Sequence, residues 1–84
     1  MSSKIMALEA AEQLAPIPRV IRVRVDHLLL RLQKWPHVSG AKPLRGNLAG
    51  HFRMQTGDWR LQFHLNGDIV VVERIGHRDG FYEE

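Results

Sequence analysis

Hydrophobic and polar side chains alternate over residues 50–63, in the stretch GHFRMQTGDWRLQF. Alternation with a period of two is typical of a strand with one face toward a core and the other toward water. A third apolar run, IVVVERI, follows at 69–75. The pattern predicts strands at about 50–55, 58–65 and 69–75. The face that we expect to be covered carries Phe52, Met54, Trp59, Leu61, Phe63, Val70 and Val72.

Two glycine-containing dipeptides predict how these strands pair. If Thr56-Gly57 is a two-residue loop, Arg53 lies directly opposite Arg60. Two like charges in that arrangement repel each other, so we expect an anion between them. The dipeptide Asn66-Gly67 is a strong signal for a second hairpin. That loop predicts the pairs Phe63–Val70, Leu61–Val72 and Arg60–Glu73.

Two helices are predicted before the strands. The first covers residues 3 to about 14 and is ended by Pro16 and Pro18. The second covers 19–35 and is ended by Pro36. Their apolar residues recur at helical spacing: Ile5, Leu8, Ala11 and Leu14 in the first, and Ile21, Val25, Leu28, Leu32 and Trp35 in the second.

These elements predict an α+β fold, in which an N-terminal helical hairpin packs on a small antiparallel β-sheet that is a three-stranded meander. A chain of 84 residues suffices for one small domain, which we assign to 1–84. The sequence has no cysteine and hence no disulfide or thiolate metal site. No apolar run is long enough to span a membrane. No export signal is evident, so we expect a cytoplasmic protein without a membrane partner.

Charge favours a nucleic-acid partner. The net charge is only +3, but residues 42–78 contain six basic side chains, five of them arginine. Arginine grips phosphate through two parallel hydrogen bonds. Lys42 and Arg45, in the linker before the first strand, are candidate RNA-backbone contacts.

The polar face of the predicted sheet is the candidate site. Arg53 and Arg60 lie on it, and the segment GHRDGFY follows the last strand at the same end. One helical turn would place Arg78 and Tyr82 on the same side, so that three arginines and a phenol converge. This set suits metal-independent cleavage of an RNA phosphodiester, in which the substrate's 2′-hydroxyl is the nucleophile. His77 is a candidate for a supporting role.

Histidine and carboxylate spacing gives no metal-binding motif, so we expect no metal and no cofactor. His51, His64 and His77 lack a paired carboxylate–histidine pattern. His51 and His64 are interpreted as half-exposed sheet residues.

Residues 42–84 resemble the C-terminal half of RelE-type toxins from bacterial toxin–antitoxin pairs, in the RelE/ParE superfamily. The motifs that carry the resemblance are Leu44–Gly46, Phe52-Arg53, Gly57-Asp58-Trp59-Arg60, the 58–75 hairpin, Gly76-His77-Arg78 and Tyr82. The helix pair agrees in type but carries no specific motif.

The resemblance implies a ribosome-dependent endoribonuclease that cuts mRNA in the ribosomal A site. It implies that Arg53 and Arg60 stabilise the phosphate in the transition state. Arg78 would be the general acid toward the leaving 5′-oxygen, and Tyr82 would orient the 2′-hydroxyl or the base. It further implies a cognate antitoxin, and contact with promoter DNA only through the antitoxin complex.

Two features depart from the family pattern. Active ribonucleases carry a second basic residue two places after the first arginine, where this chain has the neutral Gln55. We therefore expect weakened activity, support from a neighbouring histidine, or loss of activity. The family also opens with a strand, for which MSSKI leaves almost no room, so either the sheet lacks that strand or the true start lies upstream. A missing strand would expose a sheet edge that an antitoxin strand could cover.

Two other functions stay open. A ParE-like toxin of the same fold would poison DNA gyrase and cut nothing; Gln55 favours it mildly, whereas the arginine–tyrosine set argues against it. A catalytically inert member would bind only its antitoxin and DNA.

Overall fold

The alternating residues form the centre of a five-stranded sheet. In the computed structural model, which describes residues 3–81, the chain runs β1 (Ser3–Met6), α1 (Leu8–Leu14), α2 (Arg19–Leu32), β2 (Lys42–Pro43), β3 (His51–Thr56), β4 (Trp59–Asn66) and β5 (Ile69–His77). Short 3-10 helices cover Gly46–Leu48 and Arg78–Gly80. The strand order is β1-β5-β4-β3-β2, with β1 parallel to β5 and the other pairs antiparallel. The α+β class and the meander of β3, β4 and β5 are confirmed.

The sheet has a first strand, which the predicted three-stranded meander does not include. Residues 3–6 pair with Ile69–Val72 of β5, and the Ala7 N–H continues the ladder to the Val72 carbonyl at 2.9 Å. The first helix consequently begins at Leu8, five residues later than predicted, and ends at Leu14. The partner of β1 lies more than sixty residues away, so no local periodicity indicates the strand. The second helix ends at Leu32, and Trp35 follows in a turn.

The β3–β4 loop is Gly57-Asp58, not Thr56-Gly57, because Thr56 pairs with Trp59. Gly57 takes the first loop position with φ of 57°. A β-branched residue such as Thr56 adopts a positive φ only at a considerable cost, whereas glycine adopts it freely. Arg53 is consequently opposite Gln62, and Arg60 is opposite Gln55. The predicted direct Arg53–Arg60 pair was wrong.

The second hairpin is shifted in the same way. Its loop is Gly67-Asp68, and Gly67 has φ of 62°. The register is further changed by a β-bulge between Gln62 and Phe63, where Glu73 of β5 has no cross-strand partner. The pairs are Phe63–Val72, Leu61–Ile75 and Arg60–Gly76, in place of the predicted Phe63–Val70, Leu61–Val72 and Arg60–Glu73.

The core lies between one face of the sheet and the two helices. The shift in each loop moves the pairing by two positions, which keeps a side chain on its predicted face because side chains alternate with a period of two. The β-bulge adds one more position, so the faces of β5 change from Arg74 onward. Trp35 packs edge-on against Phe52 and Phe63, with ring centroids 5.0 and 5.5 Å away. The buried core residues are Ala10, Ile17, Val25, Leu28, Leu29, Leu32, Met54, Leu61, Phe63, Val70, Val72 and Ile75, with Phe52 and Trp59 partly buried beside them.

Within residues 3–81, no helix is long and apolar enough to cross a membrane.

Candidate active site

A row of cationic and amide side chains crosses four strands on the face of the sheet away from the helices. Lys42 of β2 is paired with Arg53 of β3, which is paired with Gln62 of β4, which is paired with Arg74 of β5. Residues directly opposite each other in an antiparallel pair share a face. We call Lys42, Arg53, Gln62 and Arg74 the cationic row. It places one of the two predicted RNA-backbone contacts, Lys42, beside Arg53.

Arg53 and Arg60 are diagonal neighbours on this face. Arg53 pairs with Gln62, and Arg60 precedes Gln62 by two residues. Such diagonal neighbours are about 7–8 Å apart, close enough for two long side chains to reach one phosphate. Gln55 is exposed directly opposite Arg60, so the position of the family's second basic residue does lie next to a candidate phosphate ligand.

Arg78 is anchored at the end of β5, beside the β3–β4 loop. Its backbone N–H donates to the carbonyl of Asp58 at 2.8 Å. Its Nε lies 3.6 Å from Asp58 Oδ1 and 3.7 Å from Asp79 Oδ1. The Arg78 side chain remains 58% exposed, so these carboxylates orient the guanidinium without burying it.

Phe81 fixes the segment that follows Arg78 against the polar face. Its ring is buried, and the guanidinium of Arg74 lies 4.0 Å from the ring centroid. A side chain at Gly76 would place its Cβ 3.3 Å from Phe81 Cδ2, so glycine leaves room for the ring. Tyr82, the predicted fourth member of the site, lies outside the described residues.

His77 lies at the end of β5 opposite Trp59, with the two rings perpendicular and their centroids 5.5 Å apart. Its Nδ1 accepts a hydrogen bond from the Asp79 N–H at 3.2 Å, which caps the last 3-10 turn. Trp59 faces the core, so His77 is on the opposite face of the sheet from Arg60. His77 also approaches two carboxylates, with Nδ1 3.4 Å from Asp79 Oδ2 and Nε2 4.0 Å from Asp58 Oδ2. Its supporting role in catalysis stays a prediction.

Arg45 lies outside the strand ladder. It precedes the 3-10 helix Gly46–Leu48 and is exposed. The structure therefore joins Lys42 to the polar face but leaves Arg45 in the loop beside it.

A second polar group lies next to the cationic row. His51 and His64 are directly opposite each other, and both approach Glu73. His51 Nδ1 lies 2.5 Å from Glu73 Oε1, and His64 Nδ1 lies 3.3 Å from Glu73 Oε2. Burial raises the pKa of Glu73, but the hydrogen bond and charge of His51, with Gln62 and His64, outweigh it and hold the pKa below its ordinary value of 4.5.

Sequence reasoning missed one member of this face. Arg74 was counted among the basic residues but was not assigned to the site. The β-bulge explains the error, because it places consecutive residues, Glu73 and Arg74, on the same face. Gln62 is only 4% exposed although it lies on the polar face, which shows how closely its neighbours cover it.

Known proteins share this fold and part of the sequence. Toxin RelG of Mycobacterium tuberculosis is 34% identical over 67 residues, which are 77% of this chain and 76% of that protein. A chain of the toxin–antitoxin complex RelBE2 from the same organism is 29% identical, with a TM-score of 0.81 over 92% of this chain and 98% of its own. The isolated E. coli RelE toxin shares only 16% identity, but its TM-score is 0.77 over 92% of this chain and 84% of its own. No protein-family model matches the sequence.

The sheet, the helix pair and the likeness to toxin RelG together define the class. The chain belongs to the family of RelE-type toxins of bacterial toxin–antitoxin pairs. This confirms the resemblance deduced from the motifs of residues 42–84.

Proposed function

We propose that this toxin is a ribosome-dependent mRNA endoribonuclease that cuts in the A site without a metal. The observation that carries the proposal is the diagonal Arg53–Arg60 pair on an otherwise polar sheet face, with Arg78 anchored at the loop that joins the strands of that pair. Fixed guanidinium groups stabilise the charge that develops on a phosphate in the transition state.

The reaction begins with attack of the substrate's own 2′-hydroxyl oxygen on phosphorus, while the hydroxyl proton passes to solvent water, from which Arg78 regains the proton that it donates. The bond from phosphorus to the 5′-oxygen breaks, which leaves a cyclic phosphate and a free 5′-hydroxyl. Arg53 and Arg60 bind the non-bridging oxygens, and Arg78 donates a proton to the leaving 5′-oxygen. Tyr82 orients the 2′-hydroxyl or the base. The other cationic side chains of the row, Lys42 and Arg74, contact the RNA backbone beyond the cut.

The role of Arg78 is tested by comparing Arg78→Ala with the wild type in a translation reaction. We expect mRNA cleavage to fall at least ~100-fold, the size of a lost general acid. Arg19→Ala is the matched control, because Arg19 is an exposed arginine at the start of α2. Equal cleavage by wild type and Arg78→Ala would overturn the assignment.

The roles of Arg53 and Arg60 are tested with charge-conserving variants. Lysine keeps the positive charge but loses the planar pair of donors that binds two oxygens at once. We expect Arg53→Lys and Arg60→Lys to cleave more slowly than wild type, and Arg19→Lys to cleave at the wild-type rate. Full activity of both site variants would show that simple charge suffices.

We also propose that a cognate antitoxin silences this toxin in the cytoplasm, and that promoter DNA is contacted only through the complex of the two. Support comes from the solved RelBE2 structure, which is a toxin–antitoxin complex. An acidic segment of the antitoxin would bind the cationic row and exclude mRNA. Co-expression with the neighbouring open reading frame, followed by co-purification and restored growth, tests this. Growth arrest that co-expression does not relieve would contradict it.

The second candidate function is gyrase poisoning, as in a ParE-like toxin. The observation that favours it is the neutral Gln55 opposite Arg60, where a ribonuclease carries a basic residue. Inhibition of DNA supercoiling by purified gyrase, with mRNA left intact, would replace the first proposal with this one. An absence of both effects would indicate an inert member that binds only antitoxin and DNA.

A further inference from the structure

Three metal-ligand side chains meet at one point of the sheet, although they come from three different strands. His51 lies at the start of β3, His64 near the end of β4, and Glu73 in the β-bulge of β5. One nitrogen of each histidine and one Glu73 oxygen all lie within 4.8 Å of one another. We call these three side chains the His51–His64–Glu73 cluster.

The bulge is what completes the cluster. Since it adds one residue to β5, Glu73 and Arg74 lie on the same face, and Glu73 turns toward the two histidines while Arg74 pairs with Gln62. Bulges re-aim side chains in this way and are frequent next to functional sites. The guanidinium of Arg74 lies over the Phe81 ring, 4.0 Å from the ring centroid.

One of the two nitrogen–oxygen separations in the cluster equals that of a tetrahedral ion site, and the other is shorter and would have to lengthen when an ion binds. Zinc bonds to histidine nitrogen and carboxylate oxygen are about 2.0–2.1 Å long, so tetrahedral geometry separates two ligand atoms by about 3.3 Å. The separation of His64 Nδ1 from Glu73 Oε2 is 3.3 Å, and that of His51 Nδ1 from Glu73 Oε1 is 2.5 Å.

Protein contacts alone leave two polar atoms of this region unsatisfied. His64 Nδ1 and Gln62 Oε1 are buried atoms without a hydrogen-bond partner among the described residues. Buried polar atoms are nearly always satisfied in native proteins, and an ion is one recognised explanation for exceptions. His51 pairs closely with Glu73 Oε1, whereas His64 Nδ1 approaches Glu73 Oε2 at 3.3 Å without a hydrogen bond.

We propose that His51, His64 and Glu73 bind one Zn²⁺ ion, with the fourth coordination position open to solvent. Two imidazoles and one carboxylate are a donor set that suits Zn²⁺ and other late transition metals, and not Mg²⁺ or Ca²⁺. The side chains of the cluster are 25–36% exposed, so an ion can enter and keep a water ligand. Gln62 Nε2, which lies 3.5 Å from Glu73 Oε1, orients the carboxylate. The proposal does not depend on mRNA cleavage, because its test measures zinc binding.

The test is a titration of the purified full-length chain, free of any histidine tag and stripped with a chelator. Isothermal calorimetry with ZnCl₂ in excess Mg²⁺ should show saturable binding of one ion per chain. We expect His64→Ala and Glu73→Gln each to weaken binding at least ~10-fold, since changes even to outer-shell partners have that effect. His27→Ala is the matched control, because His27 is exposed on α2, away from the cluster, and should bind as the wild type does.

Two results would overturn the proposal. One is a wild type that shows no saturable zinc binding, which would leave a plain His51–Glu73 ion pair. The other is unchanged affinity in both cluster variants. If circular dichroism shows that either variant is unfolded, the visible absorption spectrum of the wild type with added Co²⁺ tests the proposal instead. Intense visible bands support a four-coordinate site, and the weak spectrum of aqueous Co²⁺ contradicts it.

Discussion

Phe81 attaches the chain segment that carries Arg78 to the polar face, and truncating its ring tests that attachment. The ring is 5% exposed and lies beneath the Arg74 guanidinium. Truncation of a buried phenylalanine to alanine costs about 3–5 kcal/mol. Because one side of this ring faces a guanidinium and not a packed apolar core, we expect about 3 kcal/mol for Phe81→Ala. At about 0.05–0.15 kcal/mol per residue, a chain of 84 residues has roughly 4–13 kcal/mol of stability. The variant should therefore stay folded.

Phe81→Leu separates the two contributions of the ring. Leucine keeps apolar contact with Gly76 but offers no π face to Arg74, so we expect a loss of about 1 kcal/mol. A double-mutant cycle with Arg74→Met should give a coupling energy of about 0.5–1 kcal/mol. Urea unfolding followed by tryptophan fluorescence measures each stability, and equal denaturant slopes confirm that the same transition is compared.

The rate of mRNA cleavage should depend on whether Phe81 holds the Arg78 segment against the polar face. We expect Phe81→Ala to cleave mRNA more slowly than its folded fraction accounts for, because Arg78 loses its fixed position, and Phe81→Leu to keep most of its activity. A Phe81→Ala stability within about 0.5 kcal/mol of wild type would refute the reasoning, since a buried ring cannot be removed at so small a cost.

Three further changes test single contacts. Gln13→Ala removes the side-chain oxygen that accepts a 2.7 Å hydrogen bond from the Ile75 N–H, and should lower the free energy of urea unfolding by about 1–3 kcal/mol. Gln13→Glu keeps an acceptor and should lose less stability, so equal losses in the two variants would contradict a role for this bond. Gln55→Lys places a basic side chain opposite Arg60 and should raise mRNA cleavage. Unchanged or lower cleavage would contradict the interpretation that the neutral Gln55 weakens the activity. Gly76→Ala should lower thermal stability modestly, by about 1 kcal/mol, because its Cβ crowds Phe81 at 3.3 Å; a more stable variant would show that the ring moves freely.

The core could be predicted from the sequence because burial depends on local periodicity. Val25, Leu28 and Leu32 lie on the predicted helical stripe, and Met54 and Leu61 on the predicted strand face; all five are buried. A two-position change in pairing does not move a side chain to the other face, so these assignments were insensitive to the loop errors.

The pairing between strands was predicted less accurately than the core, because it depends on backbone conformation and on partners that are distant in the sequence. The choice between Thr56-Gly57 and Gly57-Asp58 rests on which residue takes the positive φ, and Gly57 does so. The strand at 3–6 is short and pairs only with β5, so its residues looked like the start of a helix.

The motifs supplied the candidate site residues, and the side chains around them could not be predicted from the sequence. Arg53 and Arg60 lie on the predicted face. The β-bulge at Glu73 has no signature in the alternation of IVVVERI, and it alone decides that Arg74 joins the row and that Glu73 meets His51 and His64. Ligands from three strands leave no spacing motif, which is why the sequence predicted no metal site.

Primer extension in a reconstituted translation reaction tests the central claim most directly. Message is mapped with and without the purified toxin, on translating ribosomes and on ribosomes halted before elongation. We expect new ends within A-site codons only when ribosomes are translating, and their loss with Arg60→Ala. Intact message under translation, or equal cleavage of free mRNA, would contradict a ribosome-dependent endoribonuclease.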